Sequence, residues 1–457
     1  MTRETLWSAF RSPVHPENRG NLQRHWEDLP PDLRSGRQMY GRQWEGCAAT
    51  IGAMPRCDFG CTACYLGAEA NRVPELPLDA LREQLRTIRT WVGRWGNVQL
   101  TDGELTLRST DEVVALIRAA RELELIPMLM THGDGFRKDP AMLERLVVEG
   151  GLTEMSVHVD TTQRGREGWG VETEERALHP VREELAGIVR DVRRRTGRDL
   201  RVAATVTVTR ANLGGIADVV AWKLRNSDVF RVLSFQPVAD VGRTRDGIGV
   251  TRGELWREIA RGLGEDHGSP TSSWNSDQQF GHGACSKVVM GAVWRPRDGA
   301  SRFVPLRDPT SPRAEDDLGE FFRRFGGISF RSDGRALAAA RALGVFASAP
   351  WFWVRRGPRW LASLLRRARG GGSARGALMA LATGRAELNG LAIVSHHFMD
   401  AETLESDEGR EREAACVFRV PVGGELVSMC RVNATGLRKE VYAAQLAERQ
   451  KEPLLRA

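Results

Sequence analysis

From about Ala49 onward, short runs dense in aliphatic and β-branched residues alternate with longer amphipathic stretches. The apolar runs are NVQL (97–100), LIPMLM (125–130), TEMSVHV (153–159), RVAATVTV (201–208) and VFRVLSF (229–235), each of strand length. Between them, apolar positions recur at helical spacing over 77–91, 110–122, 139–148, 181–196 and 214–224. Ser109, Thr110 or Asp111 can cap the second of these helices, and Asp139-Pro140 suits the start of the third. Strands alternating with helices of this length predict an α/β fold with a parallel sheet, open or curved toward a barrel. In such sheets ligands collect at the carboxyl ends of the strands.

The alternation fails after about Gly262. A Ser/Gly/Asp-rich linker, HGSPTSSWNSD, leads to GHGACSKVVMGAVW, then a polar segment, an arginine-rich stretch and a compact-looking end from Leu388. The division this predicts is an N-terminal extension over 1–48, a core over 49–265 and a C-terminal auxiliary module over 266–457.

Composition narrows the function. An apolar fraction of 41% and a charged fraction of 27% belong to a folded protein. The net charge of +7 is local, because Gly334 to Ala386 holds ten arginines and no Asp or Glu, leaving the remainder slightly acidic. A phosphate-binding face should recur on the core, so nucleic acid is not the expected partner. The opening residues lack an apolar stretch of signal length and no run of about 20 apolar residues occurs, which predicts a cytoplasmic protein. Seven cysteines, an odd number, point to metal or redox work rather than disulfides.

Three of them fall in MPRCDFGCTACYLG as C-x3-C-x2-C: Cys57, Cys61 and Cys64. Soft thiolates so close together suit three irons of one cubane cluster and leave the fourth iron open. The competing reading is a zinc site with a ligand from elsewhere, although only Cys61 and Cys64 form the paired hook zinc prefers. The triad resembles the signature of the radical S-adenosylmethionine (SAM) superfamily. That resemblance implies a partial (β/α)6 TIM-like barrel, a [4Fe–4S] cluster and SAM cleaved to a 5′-deoxyadenosyl radical. It also implies a reductase or ferredoxin as electron donor. The family's Gly-Gly-Glu turn is matched in part by Asp102-Gly103-Glu104, directly beyond NVQL, as the contact for the SAM amino group. Where the family prefers a large residue before the last cysteine this chain has Ala63, so Phe59 or Tyr65 is expected to supply the adenine contact. By position at strand ends, His158 and Asp160 are expected to meet ribose or substrate. Thr207, Asn212 and Gln236 are expected to meet SAM, and His132 the substrate; structural roles compete for each.

The remaining cysteines carry two readings, small buried hydrophobes or ligands of a second cluster. The segment CVFRVPVGGELVSMCRVN reads as a hairpin turning at Gly-Gly, which would bring Cys416 and Cys430 together. With SHHFMD and CSKVV, this end is similar to the group containing tetraether lipid synthase and the methyltransferases of the methanopterin precursor. The likeness implies Cys285, Cys416 and Cys430 as ligands of a second iron–sulfur cluster, with Cys47, His282, His397 or no residue as the fourth. It also implies C–C bond formation or methylation on a lipid-like substrate. Modification of a pterin, peptide or other small metabolite, and a non-enzymatic iron–sulfur or zinc protein, are the alternatives. Finally, 359–369 projects as an amphipathic helix with Trp360, Leu361, Leu364, Leu365 and Ala368 on one side and arginines around the other. With Trp351, Phe352 and Trp353 just upstream, this is the layout of a helix docked on the core, of one lying at the inner face of a membrane, or of one meeting an acidic or phosphorylated partner.

Overall fold

A computed structural model of the chain describes residues 3–244, 249–328 and 335–455. Eleven strands are present among them: β1 (Cys47–Ala49), β2 (Asn97–Leu100), β3 (Ile126–Thr131), β4 (Glu154–His158), β5 (Arg201–Val208), β6 (Phe230–Pro237), β7 (Ser286–Pro296), β8 (Arg302–Pro305), β9 (Ala386–His396), β10 (Phe418–Val422) and β11 (Glu425–Ser428). By contacts the chain forms two compact units. One gathers 46–215, 234–252 and 395–457; the other gathers 1–45, 216–233 and 253–394. The units are not consecutive in sequence, unlike the division at 48 and 265.

In the first unit β1 to β5 run parallel in register, Cys47 beside Asn97, Asn97 beside Ile126, Met128 beside Glu154 and Glu154 beside Arg201. This curled half-barrel of βα units is the fold expected from the alternation. The interior of β5 is buried on both faces, as a sheet covered on both sides requires. The helix Leu78–Val92 turns Leu81, Leu85, Ile88 and Val92 inward. Thr110–Glu122 starts in a reciprocal capping box between Ser109 and Glu112. Pro140–Val148 starts on Asp139, whose carboxylate accepts from the Ala141 and Met142 amides. His179–Thr196 begins two residues earlier than the pattern indicated, because Pro180 sits in the first turn, where its missing N–H costs nothing.

The expected hairpin forms as β10 and β11, with Val422 opposite Glu425 across Gly423-Gly424. Both glycines have positive φ, the conformation a two-residue hairpin turn demands. β10 lies parallel to β1, Cys47 beside Phe418, so the hairpin extends the barrel sheet.

The second unit contains an antiparallel β7–β8 pair and the arginine-rich helices. Its helix Gly357–Ala368 is docked on neighbouring elements. Leu364, Leu365 and Ala368 are buried against Trp294, Val304, Ala377 and Ala386. Arg359 grips Asp317 with two hydrogen bonds of 2.8 and 2.6 Å, and Arg367 donates to the Pro305 carbonyl at 2.8 Å. The helix packs most of its apolar side inside its own unit and leaves Leu361 exposed. Among the described residues no helix is long and apolar enough to cross a membrane.

Candidate functional site

The loop after β1 carries the three cysteines and is pinned by backbone from several directions. Gly60 and Thr62 donate to the Arg164 and Thr162 carbonyls at 2.9 Å, and Arg243 donates its amide to Cys64 at 2.9 Å. The Cys57 amide donates to Asn71 at 2.9 Å. The turn after β2 lies directly against this loop: Gly103 and Glu104 donate to the Met54 and Arg56 carbonyls at 2.7 and 2.9 Å. A Cβ at Gly103 would strike the carbonyls of Pro55 and Arg56, so glycine is required for the approach.

One cavity of about 200 Å³ is lined by Cys57, Cys61, Cys64 and the Asp102-Gly103-Glu104 turn. Phe59, Tyr65, His132, His158, Asp160, Thr207 and Gln236 also reach it, as does Cys430 from beyond the hairpin. Phe398, Met399, Phe418 and Met429 supply an apolar part of its wall.

The donor set suits a cationic centre. Burial, and then Cys64 and Asp160, push the Cys61 thiol up to about 12. Cys57 is raised further by burial, Glu104, Cys61 and Asp58, against the pull of the Phe59 amide. Thiolates so disfavoured become stable when bound to iron, which cancels their mutual repulsion. Cys57, Asp58 and His132 also bring ligand atoms within 4.8 Å of one another. That group is a strut rather than an ion cage. His132 Nδ1 accepts from the Asp134 amide at 3.2 Å, leaving Nε2 to donate to Asp58 at 2.8 Å, so neither ring nitrogen has a free lone pair.

Glu104 is fully buried and its carboxylate is committed to protein donors. Thr106 and Thr131 hydroxyls donate at 2.7 and 2.8 Å and the His132 amide at 2.8 Å. His132 therefore ties the cysteine loop, through Asp58, to the Glu104 turn. Its ring also stacks on Phe59 at 3.7 Å, and the Arg166 guanidinium lies 5.1 Å from the same ring. One face of Phe59 is thus already in use. Tyr65 donates to the Asp102 carbonyl at 2.6 Å.

Other expected residues separate into two groups. His158 reaches the cavity with its buried Nε2 lacking any protein partner, and burial holds the ring down to about 4, so it is neutral. That orphaned nitrogen fits a polar atom of a bound molecule. Asp160 accepts from the Thr162 amide and hydroxyl and from the Thr207 amide, at 2.9, 2.6 and 2.9 Å, and serves the loop geometry. Asn212 does not line the cavity. Its side chain is taken by Glu175, the Thr207 carbonyl and the Thr209 amide.

Cys416 and Cys430 stand at one end of the hairpin, flanking the Arg419–Ser428 pair, but only Cys430 lines the cavity. Cys416 donates to the Phe418 carbonyl at 3.2 Å and neighbours Cys47, which burial and that thiol push up to about 12. Cys285 and His282 belong to the other unit. His397 is not on the cavity wall, and its Nε2 has no protein partner.

The sequence did not indicate Arg438. It is buried, ion-paired to Asp102, and its Nε donates to Asn433 at 2.9 Å while its guanidinium lies 4.9 Å from the Tyr65 ring. Asp102 also accepts from the Gly52 amide. Burial pushes the Asp102 carboxyl upward and Arg438 opposes it. Asp102 stands where the resembled family has glycine, and a buried carboxylate there demands a counter-charge. That was the one available signal.

No family model matches the chain. A curated relative is the 7,8-dihydro-6-hydroxymethylpterin dimethyltransferase of Methanocaldococcus jannaschii, 24% identical over 203 residues, 43% of this chain and 37% of that protein. The chain thus spans well under half the length of that relative. The match falls in the group of methanopterin-precursor methyltransferases that the sequence resembles, and bears out that resemblance. Among solved structures, anSMEcpe with bound AdoMet is 14% identical over 41% of this chain and 50% of that one, with a TM-score of 0.30. SuiB of Streptococcus suis is 15% identical over 50% and 47%, with a TM-score of 0.33. Overlaps this loose carry no argument about the site.

Proposed function

We propose that this chain is a radical SAM enzyme whose Cys57, Cys61 and Cys64 hold a [4Fe–4S] cluster and whose cavity seats SAM beside it. The observation that carries this reading is the convergence of the triad and the Asp102-Gly103-Glu104 turn on one cavity, with backbone hydrogen bonds joining the two loops. Cluster and SAM together supply reductive cleavage of the sulfonium and hydrogen abstraction from an unactivated carbon. A reductase or ferredoxin is the electron source in this reading. Glu104 positions the turn through Thr106, Thr131 and His132. Thr207 and Gln236 belong to the wall beside SAM, and His158 offers neutral Nε2 to ribose or substrate. Phe398, Met399, Phe418 and Met429 keep water from the reacting carbon.

The apolar wall supports methylation or C–C bond formation on a lipid-like substrate. A second reading, methylation of a pterin, is favoured by the similarity to the 7,8-dihydro-6-hydroxymethylpterin dimethyltransferase. A second cluster would take Cys416 and Cys430 from this unit.

The test is anaerobic reconstitution with iron and sulfide counts, followed by reduction with SAM present. 5′-Deoxyadenosine is expected; its absence from fully loaded protein overturns the reading. Glu104→Ala should weaken SAM binding about tenfold or more at unchanged iron content, because the turn loses the carboxylate held by Thr106, Thr131 and His132. Roughly eight irons falling toward four in C416A and C430A supports the second cluster, and about four in all three proteins removes it. Assays with lipid extract and with 7,8-dihydro-6-hydroxymethylpterin separate the two substrates.

A further inference from the structure

Three helices of the arginine-rich region, Arg335–Ser348, Pro350–Arg355 and Ala374–Ala382, turn large apolar side chains to solvent. Leu343 is 62% exposed, Phe346 53%, Trp351 73% and Val354 70%, and Leu378 and Met379 are also exposed. Single exposed apolar residues are ordinary, but this many from one short stretch mark a contact surface. They are not a loosened core, because the opposite sides of the first two helices are packed: Val345, Ala349 and Phe352 are buried with Phe325.

The charge around them has one sign. Between Gly334 and Ala386 there are ten arginines and no Asp or Glu. Arg356, Arg359 and Arg367 are neutralised by Asp316, Asp317 and Asp308. Exposed Arg355, Arg366 and Arg375 face no carboxylate among the described residues. We propose that this face docks on an anionic lipid surface, with Trp351, Val354, Phe346 and Leu343 entering the interfacial layer and the unpaired arginines meeting headgroup phosphates. A second copy of the chain is disfavoured as occupant, since its matching face would carry the same charge. An acidic protein would satisfy the arginines and leave Trp, Phe, Leu and Val without an apolar partner. The surface lies on different helix faces from the docked Gly357–Ala368 side, and it requires nothing of the cofactor site.

The experiment is co-sedimentation of the full chain with phosphatidylcholine vesicles, with and without phosphatidylglycerol. Binding is expected only with phosphatidylglycerol, weakening as salt is raised. The W351E/V354E variant should bind roughly tenfold or more weakly, and R366S/R375S, separately, roughly 25-fold more weakly, at about fivefold per arginine. Circular dichroism checks that both variants remain folded; if the double glutamate unfolds, the arginine variant decides alone. No binding to phosphatidylglycerol vesicles overturns the proposal. So does equal binding by folded W351E/V354E, or a lipid-free dimer that R366S/R375S leaves intact.

Discussion

Arginine plays different parts around the cavity and on the outer helices of the other unit. Around the cavity it is buried and paired: Arg438 with Asp102, Arg166 with Asp134, Arg182 with Glu175. On the helices of the other unit Arg355, Arg366 and Arg375 stand in solvent beside exposed apolar residues. A buried guanidinium fixes the geometry of what it touches, because moving it would strand a charge in low dielectric. An exposed one keeps its hydration and is available to a partner. The contrast predicts that the two regions respond to substitution through different observables.

The largest effect should come from the triad. C57A/C61A/C64A is expected to lose the iron of that site and all 5′-deoxyadenosine formation, while vesicle binding is unchanged. Loss of both by this variant would merge the regions the comparison separates. Next, Arg438→Ala leaves Asp102 buried without its counter-charge and should cost about 3–5 kcal/mol in denaturant unfolding. D102N/R438M removes both charges and should recover much of that loss; a double variant as unstable as the single one would show that the pair does not act through charge.

Acid comes third. His158, His396 and His397, all in the cavity unit, are held from 6.5 down to about 4 by burial. Between those values the unfolded chain binds protons that the folded chain refuses. The stabilising contribution is therefore complete above about pH 6.5 and is lost as pH falls toward 4, by roughly 1–3 kcal/mol per histidine. Urea midpoints measured through this window should fall, and H396F should flatten the slope; a flat profile in the parent protein contradicts the burial argument. The smallest effect is Arg366→Ser, expected to change stability by no more than about 0.5 kcal/mol.

Legibility in the sequence followed how local each signal is. The five helices of the barrel and five of its strands announce themselves by period, because one face of each must be buried. β1 did not, since Cys47–Ala49 is too short to show any period. The triad was visible because its spacing lies within a single loop. The role of Glu104 was only half visible: the motif marks the turn, whereas the donors that saturate its carboxylate come from Thr131 and His132 on another strand end. Asn212 illustrates the reverse error. Its place after β5 suggested a ligand contact, yet Glu175 and Thr207 claim it first. The helix at 359–369 was read correctly as amphipathic. Amphipathicity alone does not say whether a protein core or a membrane covers the apolar side.

The bond between Asp102 and Arg438 joins positions 336 residues apart. During translation the turn after β2 leaves the ribosome long before its cationic partner exists, on the order of tens of seconds at cellular elongation rates. Through that interval burying an ionised Asp102 is unfavourable, so the loop beside the cysteines is expected to settle only after residue 438 emerges. The order of synthesis would then delay assembly of a site whose thiols are among the first parts of the barrel to be made.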